Sequence, residues 1–203
     1  MAEPLTRRRA TGSRHLVIFA RLLRLGTGKK RLAADIGPLA ALAFQRVALF
    51  TMIRTLSTDP RWRTWLAVTP PRGGPWPRHV ARIAQPRGSL GHRMGEIARS
   101  LPPGPVLIVG SDIPGIRPAH IAAGFRVLGN HDAVFGPAVD GGYWLVGLKR
   151  YPRFIDPFSG VRWSTPHALA DTLANLEGRR VGFLDTLDDV DDGVAWRRMK
   201  QRS

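Results

Sequence analysis

The 203-residue chain contains no cysteine. That excludes a disulfide framework and any thiolate metal site. Its six histidines show no metal-ligand spacing, and no Gly-x-Ser-x-Gly elbow occurs, so nucleophilic hydrolase chemistry has no visible carrier. Long apolar runs are missing as well. Runs such as residues 16–20 and 106–109 fall far short of the ~20 residues a membrane helix needs. The Arg7-Arg8-Arg9 cluster is followed only by the first of these runs and then by Arg21 and Arg24, which is no signal-like core. The expectation is a cytoplasmic protein with a loose basic tail over residues 1–14.

Acidic residues are scarce, 15 against 31 basic ones, for a net charge of +16 and a pI near 11.7. Three readings are open: phosphate neutralisation on nucleic acid, a site for a small phosphorylated substrate within a basic surface, or compositional drift. Of the 31 basic residues 27 are arginine, scattered along the chain. Scatter argues against a dedicated nucleic-acid stripe, and no helix-turn-helix, zinc-finger or stacking-platform pattern occurs. Specific nucleic-acid binding is not expected. The apolar share of 43% is that of a globular chain, and the length suits one well-buried α/β domain, over residues 15–203.

The apolar pattern alternates short runs with helical spacing. Residues 15–20 read as a buried strand leading into the glycine- and lysine-rich stretch 26–31. Leu42, Leu49, Ile53 and Leu56 lie seven, four and three apart, which predicts a helix over 38–56. A strand over 64–68 runs into a proline- and glycine-rich loop, 70–79. Ser89 is the expected N-cap of a helix reaching residue 100. Residues 106–110 form the clearest buried strand, followed by a helix over 118–128. Strands over 132–137 and 143–148 are joined by too few residues for a crossover, so they are not expected to be parallel neighbours. A helix over 165–177, a strand over 181–184 and a helix over 193–199 complete a mixed, mostly parallel sheet flanked by helices.

Ligands of open α/β sheets sit beyond the carboxyl ends of the strands. After the first strand comes Gly26-Thr27-Gly28-Lys29-Lys30-Arg31. Its glycines allow backbone N–H groups to approach phosphate oxygens, and Lys29 and Arg31 add positive charge. It is neither a Walker loop nor a dinucleotide fingerprint, and a solvated turn is the competing reading. After the strand at 106–110 comes Ser111-Asp112. A carboxylate there is half of a Mg²⁺ site, since Mg²⁺ is commonly held by one or two carboxylates plus substrate phosphates; a turn cap is the alternative. Asp185, Asp188, Asp189, Asp191 and Asp192 crowd one segment, with Asp189-Val190-Asp191 a literal D-x-D. That segment reads either as the second half of the metal site or as an acidic helix start. Gly88-Ser89-Leu90-Gly91 is a second glycine-bearing helix entry. Asp140-Gly141-Gly142-Tyr143 is a turn whose glycines permit close approach of a ligand, or a plain hairpin turn.

In this order the motifs resemble the bacterial DUF2064 family, often labelled radical-SAM/selenodomain-associated or arsenosugar-type glycosyltransferases. That family looks like a branch of the nucleotide-diphospho-sugar transferases of GT-A fold, which also hold the molybdenum-cofactor and phospholactate nucleotidyltransferases. The similarity rests on Phe19-Ala20-Arg21 with Gly26 and Lys29 to Leu32, Gln85 to Met94, and Gly110 to Pro114. It continues through Gly136-Pro137-Ala138 with Asp140 to Tyr143, Trp163-Ser164-Thr165, and Asp189 to Asp191. The resemblance implies a Rossmann-like GT-A sheet with a nucleotide over its first half and an acceptor over its second. It assigns Gly26, Lys29 and Arg31 to phosphates, Gly88 and Gly91 (with Ser111 beside them) to the nucleotide, and Asp112 and Asp191 to Mg²⁺ or Mn²⁺. Gly141, Gly142 and Tyr143 fall on the sugar or acceptor side, with Asp140 the candidate base. The chain departs from the usual pattern at Arg21, Leu23 and Leu25 and at Lys30, Ser89 and Gly115.

The expected function is a metal-dependent transfer from a nucleotide-activated donor, glycosyl transfer first. Nucleotidyl transfer from a nucleoside triphosphate to a phosphorylated small molecule is the alternative within the class. Outside it stands a basic binding module without catalysis.

Overall fold

The structure, a computed structural model, describes residues 13–187, 190 and 192–201. Its elements are β1 (His15–Arg21), α1 (Lys30–Ile36), α2 (Pro38–Ser57), β2 (Arg63–Thr69), β3 (Ala81–Ala84), α3 (Leu90–Ser100), β4 (Val106–Val109), α4 (Pro118–Val127), β5 (Ala133–Pro137), β6 (Tyr143–Leu148), α5 (Ala168–Ala174), β7 (Val181–Phe183) and α6 (Gly193–Gln201). The strands form one sheet in the order β3-β2-β1-β4-β6-β5-β7. β1 pairs in parallel with β2 and β4, β2 with β3, and β5 with β7, whereas β6 runs antiparallel to both β4 and β5.

Strand composition follows from position. Every residue of β4 is buried, because a strand covered by helices on both faces must be apolar on both. In β1, alternate side chains divide between two cores. Leu16 and Ile18 join Leu49, Ile53 and Leu56 of α2 and Ile121 and Phe125 of α4 on one face. Val17 joins Met94, Ile97 and Ala98 of α3 and Phe135 and Val146 on the other. Burying a side chain of this size contributes roughly 1.5–3 kcal/mol.

The sequence reading located these elements except α1 and β3. β3 has four residues at the sheet edge and only half-buried or exposed side chains, so it carries no apolar run. The last-third helix is shorter than expected, Ala168–Ala174, with turns on either side. α2 requires a correction of another kind. Its 20 residues are long and apolar enough, by length and composition alone, to cross a membrane. Counting uninterrupted apolar runs misses this because Gln45, Arg46, Thr51 and Arg54 break the series. In the fold, α2 lays Leu49, Met52, Ile53 and Leu56 on the sheet and leaves Leu39 and Val47 exposed. Of the basic tail, only Ser13 and Arg14 are described; Arg14 accepts a backbone hydrogen bond from Arg63 and rests its guanidinium on Phe125.

His15 opens β1 almost fully buried, 1% exposed. Its Nδ1 accepts a hydrogen bond from Trp65 Nε1 at 3.2 Å. Its Nε2 makes no hydrogen bond among the described residues. Burial, with some repulsion from Arg150 and Arg63, lowers the imidazole pKa below its ordinary 6.5. A lowered folded-state pKa means that the unfolded chain takes up the proton first. The stabilisation is therefore complete above pH 6.5 and is lost as pH falls toward the folded-state value. Urea unfolding between pH 7 and pH 5 is expected to show a steeper loss of stability in the wild type than in His15→Asn. Identical slopes would contradict the assignment.

Candidate functional site

The strand directions place the site. The parallel strands end at one sheet edge, and β6, being reversed, begins there. The exits of β1, β4 and β5 and the start of β6 therefore meet. A cleft of about 580 Å³ opens at this edge, lined among others by Phe19, Arg31, Asp112, Asp140, Tyr143 and Trp163. That size falls in the range of small-molecule sites, about 300–1,000 Å³.

Asp112 lies in the bend after β4 with its side chain 48% exposed. Its Oδ2 accepts from Lys29 Nζ at 3.4 Å, and the Lys29 side chain is only 9% exposed. The β1 and β4 exits are thus tied by an ion pair across 83 residues of sequence. Lys29 precedes α1, and Arg31, two residues on, reaches the cleft wall. Gly26 lies in the turn closed by Thr27, whose backbone N–H and hydroxyl both donate to the Arg24 carbonyl.

The Asp140–Tyr143 turn is held from several sides. Asp140 Oδ1 accepts from the Gly142 N–H at 2.9 Å, which orients the carboxylate at the cleft. Gly141 has φ +84°, and a Cβ there would lie 2.3 Å from the Pro166 carbonyl oxygen, so only glycine fits this approach. The Gly141 carbonyl accepts from the Leu169 N–H, joining the turn to α5. The Tyr143 ring meets Phe135 and Trp163 edge-on, at 5.2 and 6.3 Å between centroids. Its hydroxyl lies 3.4 Å from Thr172 Oγ1.

Trp163 extends this wall. Its ring lies against Gly91 of α3, where a Cβ would stand 2.7 Å from Cζ2, and 6.2 Å from the Phe158 ring. Arg162 pairs with both carboxylate oxygens of Asp171, which pins this loop to α5 and holds the Asp171 carboxyl well below the usual range. Ser164, which follows Trp163, lines the cleft with φ +60°, a left-handed conformation uncommon for serine.

The structure brings Arg31, Asp112, Asp140, Gly142 and Tyr143 into one lining, with Lys29 joined through Asp112. Gly26, Gly88, Ser111 and Gly141 stand in flanking turns rather than in that lining, and Gly91 is buried beneath Trp163. Asp191, the second metal candidate, lies outside the described residues, as do Asp188 and Asp189. Asp192 caps α6, its Oδ1 accepting from the Ala195 N–H at 2.8 Å. Among the described residues no group of three histidine, aspartate or glutamate side chains is arranged to hold a metal. The residue-level reading missed the apolar part of the cleft: Phe19, Leu90, Met94, Ile108 and Val146. Core spacing hides such residues. Trp163, Ser164 and Thr165 had a signal only as a family motif.

Burial pushes the Tyr143 phenol well above its ordinary value of 10, against a smaller opposing effect of the Thr172 hydrogen bond. The chain has two tyrosines, Tyr143 and the exposed Tyr151. A Tyr151→Phe variant titrated by absorbance at 295 nm is therefore expected to develop phenolate only as the protein unfolds. A phenolate signal while circular dichroism remains native would show Tyr143 open to solvent.

Comparison with known proteins agrees with this architecture. A protein from Desulfovibrio desulfuricans G20, proposed to be a nucleotide-diphospho-sugar transferase, superposes with a TM-score of 0.79 at 25% identity, over 88% of this chain and 82% of that one. The CMP:2-keto-3-deoxy-manno-octonic acid synthetase complexed with CTP has a TM-score of 0.55 at 14% identity, over 94% and 100% of the two chains. Rv0371c from Mycobacterium tuberculosis H37Rv, in complex with manganese, gives 0.51 at 16% identity, over 94% and 100%. These last two share the fold. No curated protein matches the sequence. The model of a family described as an uncharacterized protein conserved in bacteria, DUF2064, matches residues 45–165. That stretch includes α3, the Asp112 bend, the Asp140–Tyr143 turn and the Trp163 wall, and the chain belongs to the DUF2064 family.

Proposed function

We propose that the protein transfers a glycosyl group from a nucleotide sugar to a small acceptor across the cleft between Asp112 and the Asp140–Tyr143 turn. The observation that carries this reading is that one cavity is lined by Asp112, which pairs with Lys29, by Arg31 and by an oriented Asp140 carboxylate. Cations for a diphosphate and a base for a hydroxyl thus share one cleft. The Desulfovibrio protein, proposed to be a nucleotide-diphospho-sugar transferase, supports the choice of donor.

In this reading an acceptor hydroxyl attacks the anomeric carbon and the bond from that carbon to the phosphate oxygen breaks. Asp140 takes the hydroxyl proton. Lys29 and Arg31 stabilise the charge that develops on the departing nucleoside diphosphate. Gly26, Gly88, Gly91 and Ser111 flank the nucleotide, and Gly141, Gly142 and Tyr143 bound the acceptor. The exposed Asp112 carboxylate at a strand exit suits a hard divalent cation, with Asp191 as a second ligand; Mg²⁺ or Mn²⁺ there would supply Lewis-acid charge on the diphosphate. Nucleotide sugars and their acceptors make the cytoplasm the fitting location.

A second reading, nucleotidyl transfer with release of pyrophosphate, is favoured by the density of cations at Lys29, Lys30 and Arg31. The CTP-bound synthetase of the same fold also favours it.

Three outcomes are expected. Asp112→Asn lowers Mg²⁺-dependent affinity for nucleoside diphosphates at least tenfold by calorimetry, and an unchanged affinity removes the residue from the metal site. Asp140→Asn lowers kcat by about 10²–10⁴ with little effect on KM for the donor. With Mg²⁺, acceptors and either donor class, nucleoside diphosphate is released from a nucleotide sugar. Acceptor-dependent pyrophosphate from a triphosphate alone would select the second reading.

A further inference from the structure

The working edge of the sheet is divided by charge. Basic side chains collect after β1 and β2: Arg21, Arg24, Lys30 and Arg72 are exposed there, beside Lys29 and Arg31. The cleft at the ends of β4 and β6 is different. Much of its lining is apolar, with Phe19, Leu90, Met94, Ile108, Val146 and Trp163. Arg31 is the one basic side chain in the described lining, whereas Asp112 and Asp140 are both in it. An anionic group seated there would find one cation in the described lining, Arg31, would give up water to the apolar remainder, and would face the Asp140 carboxylate.

We infer that the apolar part of the cleft takes an uncharged, hydroxylated ring, its apolar face on Trp163 and Phe19 and a hydroxyl directed to Asp140. This rests on the transferase reading for its role, since the ring is then the acceptor, but not for its binding. Trp163 presents an apolar face, as sites for amphipathic rings require. It is held rigid by the Gly91 and Phe158 contacts and by the Arg162–Asp171 pair of the preceding residue. Asp140 Oδ1 is committed to Gly142, and Oδ2 accepts no hydrogen bond among the described residues. That leaves one carboxylate oxygen for a donor hydroxyl. A phosphorylated acceptor, which nucleotidyl transfer needs, finds only Arg31 as a cation in the described lining, and the proposed function places that residue on the donor phosphates.

Saturation-transfer NMR on the full chain tests the inference without turnover or nucleotide. The probes are methyl β-D-glucopyranoside, methyl β-D-galactopyranoside and methyl α-D-mannopyranoside, with methyl β-D-glucuronide as the charged counterpart. At least one neutral glycoside is expected to receive saturation from the wild type and from Trp163→Phe. The signal falls at least fivefold in Trp163→Ala. The glucuronide is expected to show no Trp163-dependent signal. No transfer to any neutral glycoside, undiminished transfer in a folded Trp163→Ala, or a glucuronide signal as large and as Trp163-dependent as the best glycoside's each overturns it. If Trp163→Ala does not fold, the wild type and Trp163→Phe decide by the contrast between neutral and charged probes, and a glucuronide signal equal to the best glycoside's overturns it. Calorimetry with UDP, CDP, GDP, ADP and dTDP, each with Mg²⁺, on the same samples separates the two ideas. Glycoside binding without binding of any nucleoside diphosphate rejects the nucleotide-sugar reading and keeps the ring site. Nucleoside diphosphate binding without glycoside binding does the reverse.

Discussion

The pairing of β6 between β4 and β5 is the constraint on which the site depends. An antiparallel strand inserted among parallel ones begins where they end. Tyr143 at its start therefore stands beside Asp112 at the exit of β4. The insertion demands close backbone approaches. At Gly147 a Cβ would lie 2.3 Å from Leu107 Cδ2 and 2.5 Å from Val134 Cγ1. At Gly136 it would lie 2.2 Å from the Trp144 indole. The space left at Gly136 lets Trp144 lie across β5 and donate from Nε1 to the Asp185 carbonyl at 3.1 Å. The segment after β7 is thereby fastened to the same edge, and Leu187 pairs with Ala138 beside it. Overpacking such positions costs typically 1–3 kcal/mol, so the small residues are requirements of the strand order.

The second layer of organisation is the aromatic wall. Phe135, Tyr143, Trp163 and Phe158 form a continuous series of tilted and edge-on contacts. The loop that carries Trp163 is anchored by Arg162 on Asp171, and the neighbouring Asp140–Tyr143 turn by the Gly141 carbonyl on α5. Offset and edge-on contacts of this kind add roughly 0.5–1.5 kcal/mol each beyond the burial of area. A rigid wall of this sort selects ligands by shape at little entropic cost. In the proposed reading the cations on the other half of the edge select by charge, so the two halves ask different things of a substrate, phosphate over β1 and an uncharged ring beneath β6.

Much of the architecture was readable from local pattern. The all-apolar run of β4, the helical spacing of Leu42, Leu49, Ile53 and Leu56, and Ser89 as an N-cap accepting from the His92 N–H are each short-range facts. So was the short link between β5 and β6, which ruled out a crossover. β3 escaped because an edge strand of four half-exposed residues has no run to detect. The membrane-like composition of α2 escaped because interruptions by Arg46 and Arg54 conceal it in a residue count.

The site divides in the same manner. The polar candidates Lys29, Arg31, Asp112 and Asp140 were visible in the sequence, because a charged residue next to a strand end or glycine turn is locally conspicuous. Ile108 and Val146 were not, and Leu90 and Met94 only within a family motif, because an apolar residue facing a cleft has the same spacing as one facing a core. What the sequence determined by itself is the set of elements, the strand ends and the identity of the polar groups beside them, since propensity, periodicity and turn chemistry act over a few residues. What only the tertiary structure decided is which of those groups meet. Lys29 and Asp112 are brought to 3.4 Å, and Trp163 is laid on Gly91, through sheet order and side-chain packing, interactions between segments far apart in the chain that no local pattern encodes.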